Sequence, residues 1–352
     1  MGKIRLKDIA DSLGVSTSTV SRALNGNTRI SESMRNAVIE KAKELDYESP
    51  PLSRLFQGAK AANIAVLSPY NIFFETVIEG IKAAHLEFGN DGIVVDYMFN
   101  DIHDVVEQTK QLRKITEDNH YDGILLAPAH SVMLNPLIEE LVEKGKVVVT
   151  FNTDAPDSGR THYIGQHNFI AGCIAAQLCG VQLRQGEDIA IVNSFSSTMG
   201  HKERTDGFIE YINSYFPNQN IIGQFPFADT IETAESIAEQ IILMNDSVKA
   251  IYSNTMVGTI GCARAVEKTG KSNSIFVIGF DSNDEIERYI NSGVIFSTIL
   301  QEPFYQGYKA LNLLLKQLIY GIKVEKQCFY TKSDLLMKST LKLLKYNDKI
   351  LM

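Results

Sequence analysis

The sequence predicts an all-α helix-turn-helix head followed by an α/β body of two Rossmann-like lobes. Three observations support this fold class: short amphipathic helical segments fill the first 48 residues, two prolines interrupt the chain at 50–51, and buried-strand runs then alternate with helical stretches. At 352 residues the chain also exceeds what one hydrophobic core usually supports. We predict a head at 1–48, a linker at 49–61, a two-lobed body at 62–340 and a tail at 341–352.

Charge is distributed unevenly along the chain. Residues 1–60 carry ten Lys and Arg against seven Asp and Glu, a net charge of +3, whereas the whole chain carries -8. A basic head on an acidic body is typical of a protein that touches nucleic acid with one end only. Hydrophobic residues at 44% and charged residues at 22% argue against a disordered or fibrous chain.

The sequence contains no sign of export, membrane insertion or metal binding. The N-terminus lacks an apolar run that could form a signal-peptide core, and no stretch reaches the roughly 18 apolar residues that a spanning helix needs. The four cysteines and seven histidines show no metal-like spacing, so reduced cysteines in a cytoplasmic protein are expected. We predict no membrane partner and no metal.

The head is predicted to contain three short helices. The apolar face of the first helix, at 6–13, consists of Leu6, Ile9, Ala10 and Leu13. Gly14 permits a left-handed turn, and Ser16 is placed to cap the second helix. Ser31 is placed to cap the third, whose apolar face consists of Val38, Ile39, Ala42 and Leu45.

The second helix has one apolar stripe, Val20 and Ala23, with which it docks on the first. Its polar face consists of Thr17, Ser18, Ser21 and Arg22. Hydroxyl groups and a guanidinium suit the base edges and phosphates of a major groove, although a solvated polar face is the alternative.

The run LKDIADSLGVSTSTVSRALNGNTRISESMRNAVIEKAKELDY resembles the DNA-binding head of the lactose/galactose repressor family without a gap. The resemblance implies that Thr17, Ser18 and Arg22 read bases. It also implies that backbone phosphates are held by Ser16, Thr19, Ser21 and Asn25. The predicted DNA-binding set is completed by Leu6, Arg29, Arg54 and Phe56.

The linker begins at Pro50 and Pro51, which forbid continuation of the third helix. In the resembled family a hinge helix forms here on DNA, pairs with its twin in a dimer and wedges a leucine into the minor groove. Alignment on Arg54 puts Phe56 at the wedge position. The sequence departs from the family pattern in having Phe for Leu and two prolines for Asn-Ala. Packing of Leu55 and Phe56 on the body is the alternative.

The body alternates strands and helices in two series, which predicts parallel sheets covered on both faces. Strands are predicted at 63–69, 93–99, 122–128, 147–152, 188–194, 248–254 and 275–281. Helices are predicted at 74–89, 105–118, 137–145, 207–216, 231–242 and 261–270. Because no G-x-G-x-x-G follows a strand, we predict no nucleotide cofactor.

Polar and aromatic residues cluster near the ends of these strands, where parallel sheets bind ligands. They are Asn71, Phe73, Phe74, Asn152, Arg204, Asn254, Asp281 and Gln301. Amides, a guanidinium and a carboxylate suit the hydroxyls of a sugar, and aromatic rings cover its C–H surface. Taken singly, Asp281 could cap the next helix, Arg204 could form a surface ion pair, and Phe73 could lie in the core.

The body is similar to the type I periplasmic binding protein fold, used by ribose-binding protein and by the repressors named above. The likeness is carried by NIFFETVIEGIKAA, KERTDGF, VIGFDSNDEIERYI and TILQEPFYQGYKA. It implies that the eight residues of the cluster are ligand contacts, Arg204 and Asp281 being the firmest. Two departures leave the ligand open: Asn152-Thr153 stand where ribose-type binders place Asp-Arg, and Asn254 lacks the usual following Asp.

We therefore predict a sequence-specific transcription regulator, preferably a repressor, whose affinity for double-stranded operator DNA is controlled allosterically by a small sugar or sugar derivative. A homodimer is expected, with a tetramer as the alternative. The competing hypothesis is a cytoplasmic solute-binding module without DNA regulation. No enzyme is predicted, because the body has no nucleophile-base pair, metal cluster or carboxylate dyad at recognisable spacing.

Overall fold

A computed structural model describes residues 6–24, 31–44, 61–88, 92–102, 104–194, 199–322 and 324–342. Head and body form separate compact units. The predicted contacts Asn25, Arg29, Arg54 and Phe56 lie outside the described residues, as do the side chains of Leu6, Ser21 and Arg22. None of the helices within the described ranges is long and apolar enough to cross a membrane.

The described part of the head consists of Leu6–Leu13 (α1), Thr17–Leu24 (α2) and Glu32–Glu44 (α3). These helices enclose a small core of Ile9, Ala10, Val20, Ala23, Val38 and Ala42. The α1–α2 turn follows the predicted chemistry. Gly14 has a φ of +65°, and the Ser16 hydroxyl accepts a hydrogen bond from the amide of Thr19 at 3.1 Å.

Twelve strands in the described residues form two six-stranded sheets, one in each lobe. They are Ala62–Pro69 (β1), Ile93–Asn100 (β2), Gly123–Leu126 (β3), Val147–Phe151 (β4), His162–Gly165 (β5), Asp188–Ser194 (β6), Asn220–Phe227 (β7), Val248–Ser253 (β8), Phe276–Phe280 (β9), Ile295–Ile299 (β10), Cys328–Tyr330 (β11) and Leu335–Leu336 (β12). The strand orders are β11-β5-β4-β3-β1-β2 in the first lobe and β12-β10-β9-β8-β6-β7 in the second. Every pair is parallel except β10 with β12.

The described helices of the body are Ile72–Phe88 (α4), Val105–Asp118 (α5), Asn135–Glu143 (α6), Asn168–Gln182 (α7), Met199–Tyr215 (α8), Ile231–Met244 (α9), Met256–Lys268 (α10), Asp284–Ser292 (α11) and Pro303–Tyr320 (α12). Helices α8 and α10 begin eight and five residues earlier than the sequence pattern predicts. The pattern also did not assign β5, α7, β7, β10, α12, β11 or β12. Leu341, in the predicted tail, is buried in the core of the second lobe.

Two helix pairs pack at glycines. In the second lobe, a Cβ atom at Gly207 of α8 would collide with the backbone carbonyl of Phe169 in α7, and one at Gly172 would collide with the carbonyl of Arg204. In the first lobe, Gly307 of α12 faces the backbone of α4 in the same way. Only glycine permits this approach, so both pairs hold their helix N-termini close together.

The chain passes between the lobes at three crossovers. The first crossover, 166–167, follows β5 of the first sheet and leads into α7, which packs in the second lobe. The second crossover, 300–302, leads from β10 back to α12, and the third, 331–334, joins β11 to β12. The three segments are hydrogen-bonded to one another, so the lobes meet at one connected hinge.

Candidate functional site

A cavity of about 350 Å³ lies between the two lobes, beyond the carboxyl ends of the strands. Its size falls within the range of small-molecule sites, about 300–1,000 Å³. Its lining residues are Asn71, Ile72, Phe73, Phe74, Ile102, Asn152, Thr153, Asn168, Gly200, His201, Arg204, Asp229, Thr255, Met256, Val257, Asp281 and Gln301. Seven of the eight residues predicted from the strand ends are therefore brought together here.

Three polar residues of the cleft adopt left-handed backbone conformations. Asn152, Asp229 and Asp281 have φ values of +60°, +50° and +66°. Asn152 and Asp281 occupy equivalent places after β4 and β9, and the amide of each donates to the neighbouring strand at 3.0 Å, to Ile164 and Ile299 respectively. Such conformations are strained for residues other than glycine and cluster at binding sites, because the surrounding structure has to hold them.

Arg204 is the centre of the site. It is buried, with its guanidinium 4.0 Å from the ring centroid of Phe280. Its Nε donates to Asn168 Oδ1 at 2.9 Å and its Nη1 to the carbonyl oxygen of Asn254 at 3.1 Å. Its Nη2 donates to Gln166 Oε1 at 3.1 Å and to Gln301 Oε1. The arginine is therefore fixed by the second lobe and by two crossovers, which excludes a surface ion-pair role.

Asp281 completes the polar side of the second lobe. Its Oδ1 accepts a hydrogen bond from Gln301 Nε2 at 2.7 Å. Burial raises the pKa of the Asp281 carboxyl, while Arg204 and the hydrogen bond from Gln301 oppose that rise. Burial likewise lowers the pKa of Arg204. Asp281 does not cap α11, because Asn283 does so by accepting from the amide of Ile286 at 2.8 Å.

Asn254 is the predicted ligand contact that does not line the cavity. Its Oδ1 accepts from the amide of Ser194 at 3.0 Å, and its Nδ2 donates to the His201 carbonyl and to the Thr205 hydroxyl, both at 3.1 Å. The side chain is fully occupied in this way. Asn254 therefore fixes the start of α8, which carries Arg204.

The first lobe contributes an aromatic and amide surface. Asn71 caps α4 by accepting hydrogen bonds from the amides of Phe73 and Phe74 at 3.0 and 3.2 Å, and both aromatic residues therefore lie in the first turn of the helix. Phe74 is buried against Phe151, whereas Phe73 is half-buried and lines the cleft. Asn152 makes no side-chain hydrogen bond to any described residue, so its amide is available to a ligand.

The loop after β4 lacks a charged pair facing the cavity. Asp154 instead forms a bidentate ion pair with buried Arg160, and its Oδ1 also accepts from the Thr150 hydroxyl at 3.0 Å. This pair clamps the loop between β4 and β5. It leaves uncharged Asn152 and Thr153 at the cleft.

Several lining residues were not anticipated from the sequence. Asn168 lies at the start of α7, a helix the sequence pattern did not assign, and His201 lies at the start of α8 before its predicted beginning. Asp229 follows β7, which was also unassigned. The spacing of polar residues after strands and at helix starts would have indicated these positions only once the elements themselves were known.

The start of α2 has one polar, exposed face. Thr17 and Ser18 are exposed, whereas Val20 and Ala23 are buried, so one face of the helix packs and the other faces outward. The Ser16 hydroxyl lies 2.8 Å from the hydroxyls of both Ser18 and Thr19. These groups form a compact polar end of α2.

Both the head and the body match known protein families. Residues 5–49 match the model of bacterial regulatory proteins of the lacI family, and residues 56–322 match the periplasmic binding protein domain. The chain is 25% identical over 351 residues to the HTH-type transcriptional repressor PurR of Vibrio parahaemolyticus, which covers 96% of this chain and 98% of that protein. It is 23% identical to a D-ribose/D-allose-binding protein of Pseudomonas aeruginosa over 70% of this chain and 79% of that protein.

A solved structure extends the likeness of the body. The glucose-galactose binding protein GanP of Geobacillus stearothermophilus superposes with a TM-score of 0.73 at 26% identity, covering 80% of this chain and 98% of that one. Fold and cleft thus define a two-lobed ligand-binding protein carrying a helix-turn-helix head. The chain belongs to the lacI family of bacterial regulatory proteins, with a periplasmic binding protein domain as its body. It is a DNA-binding transcription regulator under the control of a small ligand.

Proposed function

We propose that the protein is a cytoplasmic repressor that binds operator DNA as a homodimer and is released by a small sugar bound in the interlobe cleft. The observation that carries this proposal is the cleft itself, in which amides, Arg204 and Asp281 lie beside Phe73 at the junction of two lobes. The sugar-binding and repressor relatives support both halves of the proposal. Cytoplasmic location follows from the need to reach DNA.

On the DNA side, Thr17, Ser18 and Arg22 read bases in the major groove. Backbone phosphates are held by Ser16, Thr19, Ser21 and Asn25, with Leu6, Arg29, Arg54 and Phe56 completing the contacts. The exposed hydroxyls at the start of α2 and the buried opposite face support this orientation of the helix.

On the ligand side, Asn71, Phe73, Phe74, Asn152, Arg204, Asp281 and Gln301 form the binding surface. Asn254 does not contact the ligand but positions the start of α8, which carries Arg204. The cleft binds its ligand without converting it. Asp281 is held by an amide of Gln301 and Arg204 by four acceptors, an arrangement suited to fixed recognition and not to proton transfer.

Dimerisation is supported by the edges of the two sheets. β2 and β7 are edge strands, and β2 exposes Val94 and Phe99 while the adjoining α4 exposes Leu86. Exposed apolar side chains beside an unpaired strand edge suit burial against a second copy. A dimer presents two recognition helices to a near-palindromic operator, and a dimer of dimers is the larger alternative.

Fluorescence anisotropy with an operator duplex selected from a random pool tests DNA binding. Arg22→Ala should weaken specific binding by about 1–3 kcal/mol and reduce selectivity between bases. Lys41→Ala is the matched control, because it removes one positive charge from α3, where Lys41 pairs with Glu44. Unchanged affinity and selectivity of Arg22→Ala would refute the DNA-reading role. The absence of any salt-sensitive specific binding would favour the solute-binding alternative.

A further inference from the structure

We propose that the effector is an uncharged, unphosphorylated sugar and that the cleft rejects sugar phosphates. This inference rests on the proposed function of the cleft as the effector site, and it names the chemical class of that effector. It is carried by how the hydrogen-bond donors of Arg204 are used and by the charges of the lining residues.

The guanidinium of Arg204 is almost saturated by the protein. An arginine has five N–H donors, and four of them are directed at Asn168, Asn254, Gln166 and Gln301. One Nη1–H remains for a ligand. A phosphate is bound best by two parallel N–H donors of one guanidinium, and Arg204 cannot offer them without breaking a bond to the protein. One donor suffices for a hydroxyl or a ring oxygen.

The other charges of the cleft are negative. Arg204 is the only Lys or Arg among the lining residues in the described ranges, whereas the carboxylate of Asp281 lines the same cavity. A phosphate dianion would therefore lose its hydration in exchange for a single cation, whose charge the neighbouring carboxylate of Asp281 already offsets.

The space beside the cavity strengthens this selection. A second cavity of about 700 Å³ shares Phe73, Asp281 and Gln301 with the first. Its further lining includes the carboxylates Asp284, Glu302 and Asp334, whereas the lining carboxylate of Glu285 is paired with Arg264. An anionic substituent that extended out of the first cavity would meet these groups.

The polar groups that remain available suit hydroxyls. Asn152 offers both a donor and an acceptor, Arg204 offers one donor, and Asp281 offers acceptor lone pairs beyond its bond to Gln301. A sugar hydroxyl both donates and accepts, so it can satisfy all three kinds of partner. The half-buried ring of Phe73 covers the C–H surface of such a ligand.

Thermal-shift titrations at constant ionic strength test the inference with matched pairs of probes. The neutral members are D-ribose, D-allose, D-arabinose, D-galactose and D-glucose, and the anionic members are their monophosphates, with inorganic phosphate alone as a further probe. We expect at least one neutral sugar to raise Tm and its monophosphate to bind at least tenfold more weakly. Inorganic phosphate should shift Tm no more than chloride does at the same ionic strength.

A variant pair sharpens the test. Asp281→Asn removes a hydrogen-bond acceptor for the ligand, so the preferred sugar should bind at least tenfold more weakly. It also removes a negative charge that repels phosphate, so the ratio between the affinities for the sugar and for its phosphate should become smaller. Asp246→Asn is the control, because its side chain is almost fully exposed and its removal changes net charge equally. An unchanged preference in Asp281→Asn would contradict selection by this carboxylate.

The outcomes separate the two proposals. A sugar phosphate that stabilises the wild-type protein more than its parent sugar would overturn the neutral-effector inference and leave the proposed function standing. If no sugar and no phosphate shifts Tm while operator binding is specific, control by a sugar fails and the inference fails with it.

Discussion

At the scale of single residues, the site depends on two buried charged groups that are held mainly by amides. Arg204 and Asp281 both lose hydration on folding, and burial shifts both pKa values toward the neutral forms. The stacking of Arg204 on Phe280 and its hydrogen bonds to Gln301 and other acceptors compensate for that loss. The site is therefore rigid before a ligand arrives, which lowers the entropy lost on binding.

The raised pKa of Asp281 predicts a pH dependence of effector binding. If the ligand hydroxyl donates to the carboxylate, affinity is fully present above the folded-state pKa and is lost as pH falls through it, and burial places that pKa above the ordinary value of 3.8. The raised pKa of Asp281 affects folding stability in the opposite direction. Because the protonated carboxyl is favoured in the folded protein, its contribution to the free energy of unfolding is fully present below the unfolded-state pKa and is lost as pH rises through the folded-state pKa.

Isothermal titration of the preferred sugar at a series of pH values, from neutral down to the lowest pH at which both proteins stay folded, measures this effect. The affinity of the wild-type protein should fall, while the weaker binding by Asp281→Asn should be flat over the same range. A parallel decline in both proteins would assign the pH dependence to another group and contradict the role of Asp281.

At the scale of elements, the three crossovers are joined through one side chain. Gln166 is buried, and its Nε2 donates to the carbonyl of Leu300 at 3.0 Å and to the hydroxyl of Ser333 at 3.1 Å, while its Oε1 accepts from Arg204. One amide thus connects Arg204, the proposed ligand contact, to all three segments between the lobes. A change in the position of Arg204 would reach the hinge directly.

Gln166→Glu tests this link. The carboxylate can still accept from Arg204 but cannot donate to the Leu300 carbonyl, so effector binding should persist while the coupling between effector and operator falls by about 1–3 kcal/mol. Gln327→Glu makes the same chemical change at an exposed position. The anisotropy of labelled operator DNA, titrated with protein in the presence and absence of effector, measures the coupling. If Gln166→Glu has the coupling of the wild-type protein, Gln166 does not transmit the effect of the ligand to the hinge.

The glycine contact between α7 and α8 predicts a structural cost. Gly207→Ala forces a Cβ atom against the carbonyl of Phe169, so the free energy of unfolding should fall by about 1–3 kcal/mol. Because α8 also carries Arg204, effector affinity should fall too. Ser214→Ala, on the exposed side of the same helix, is the control. Urea denaturation followed by tyrosine fluorescence measures the change, and equal stabilities would show that the helices separate freely.

The sequence was sufficient for elements with a clear period and insufficient for the others. α5 and β6 have the predicted bounds. The buried apolar residues of α5 face one core, and the continuous apolar run of β6 fills the cores on both faces of its sheet. α7 packs through small residues and is apolar around much of its surface, so it has little helical periodicity. β7 contains Gly223 and Pro226, residues that weaken a strand pattern but fit a sheet edge.

The same limit applies to the site. Arg204 and Asp281 could be proposed because each lies within a recognisable string, whereas Asn168 and Asp229 belong to elements without a pattern. The inward orientation of Asn254 depends on three partners from β6 and α8 that no local sequence rule connects. Local chemistry identified candidates, and the crossovers decided which of them meet.

At the scale of the whole molecule, function requires that the cleft and the head influence each other. A mildly basic head supplies a salt-dependent attraction to DNA, while the acidic body does not. In the proposed dimer, discrimination between operator and other DNA would come from α2 and from the spacing of the two heads. The sensor controls that spacing only if the effector prefers one arrangement of the lobes.

This requirement predicts a reciprocal coupling. If the effector lowers operator affinity about 5- to 150-fold, operator DNA must lower effector affinity by the same factor, because the two bindings share one thermodynamic cycle. Anisotropy with and without the preferred sugar gives the first ratio, and isothermal titration of that sugar with and without saturating operator gives the second. A duplex of scrambled sequence controls for general electrostatic binding and should leave sugar affinity unchanged at 150 mM salt. Equal sugar affinities for free and operator-bound protein would mean that the cleft does not control DNA binding, whatever ligand it holds.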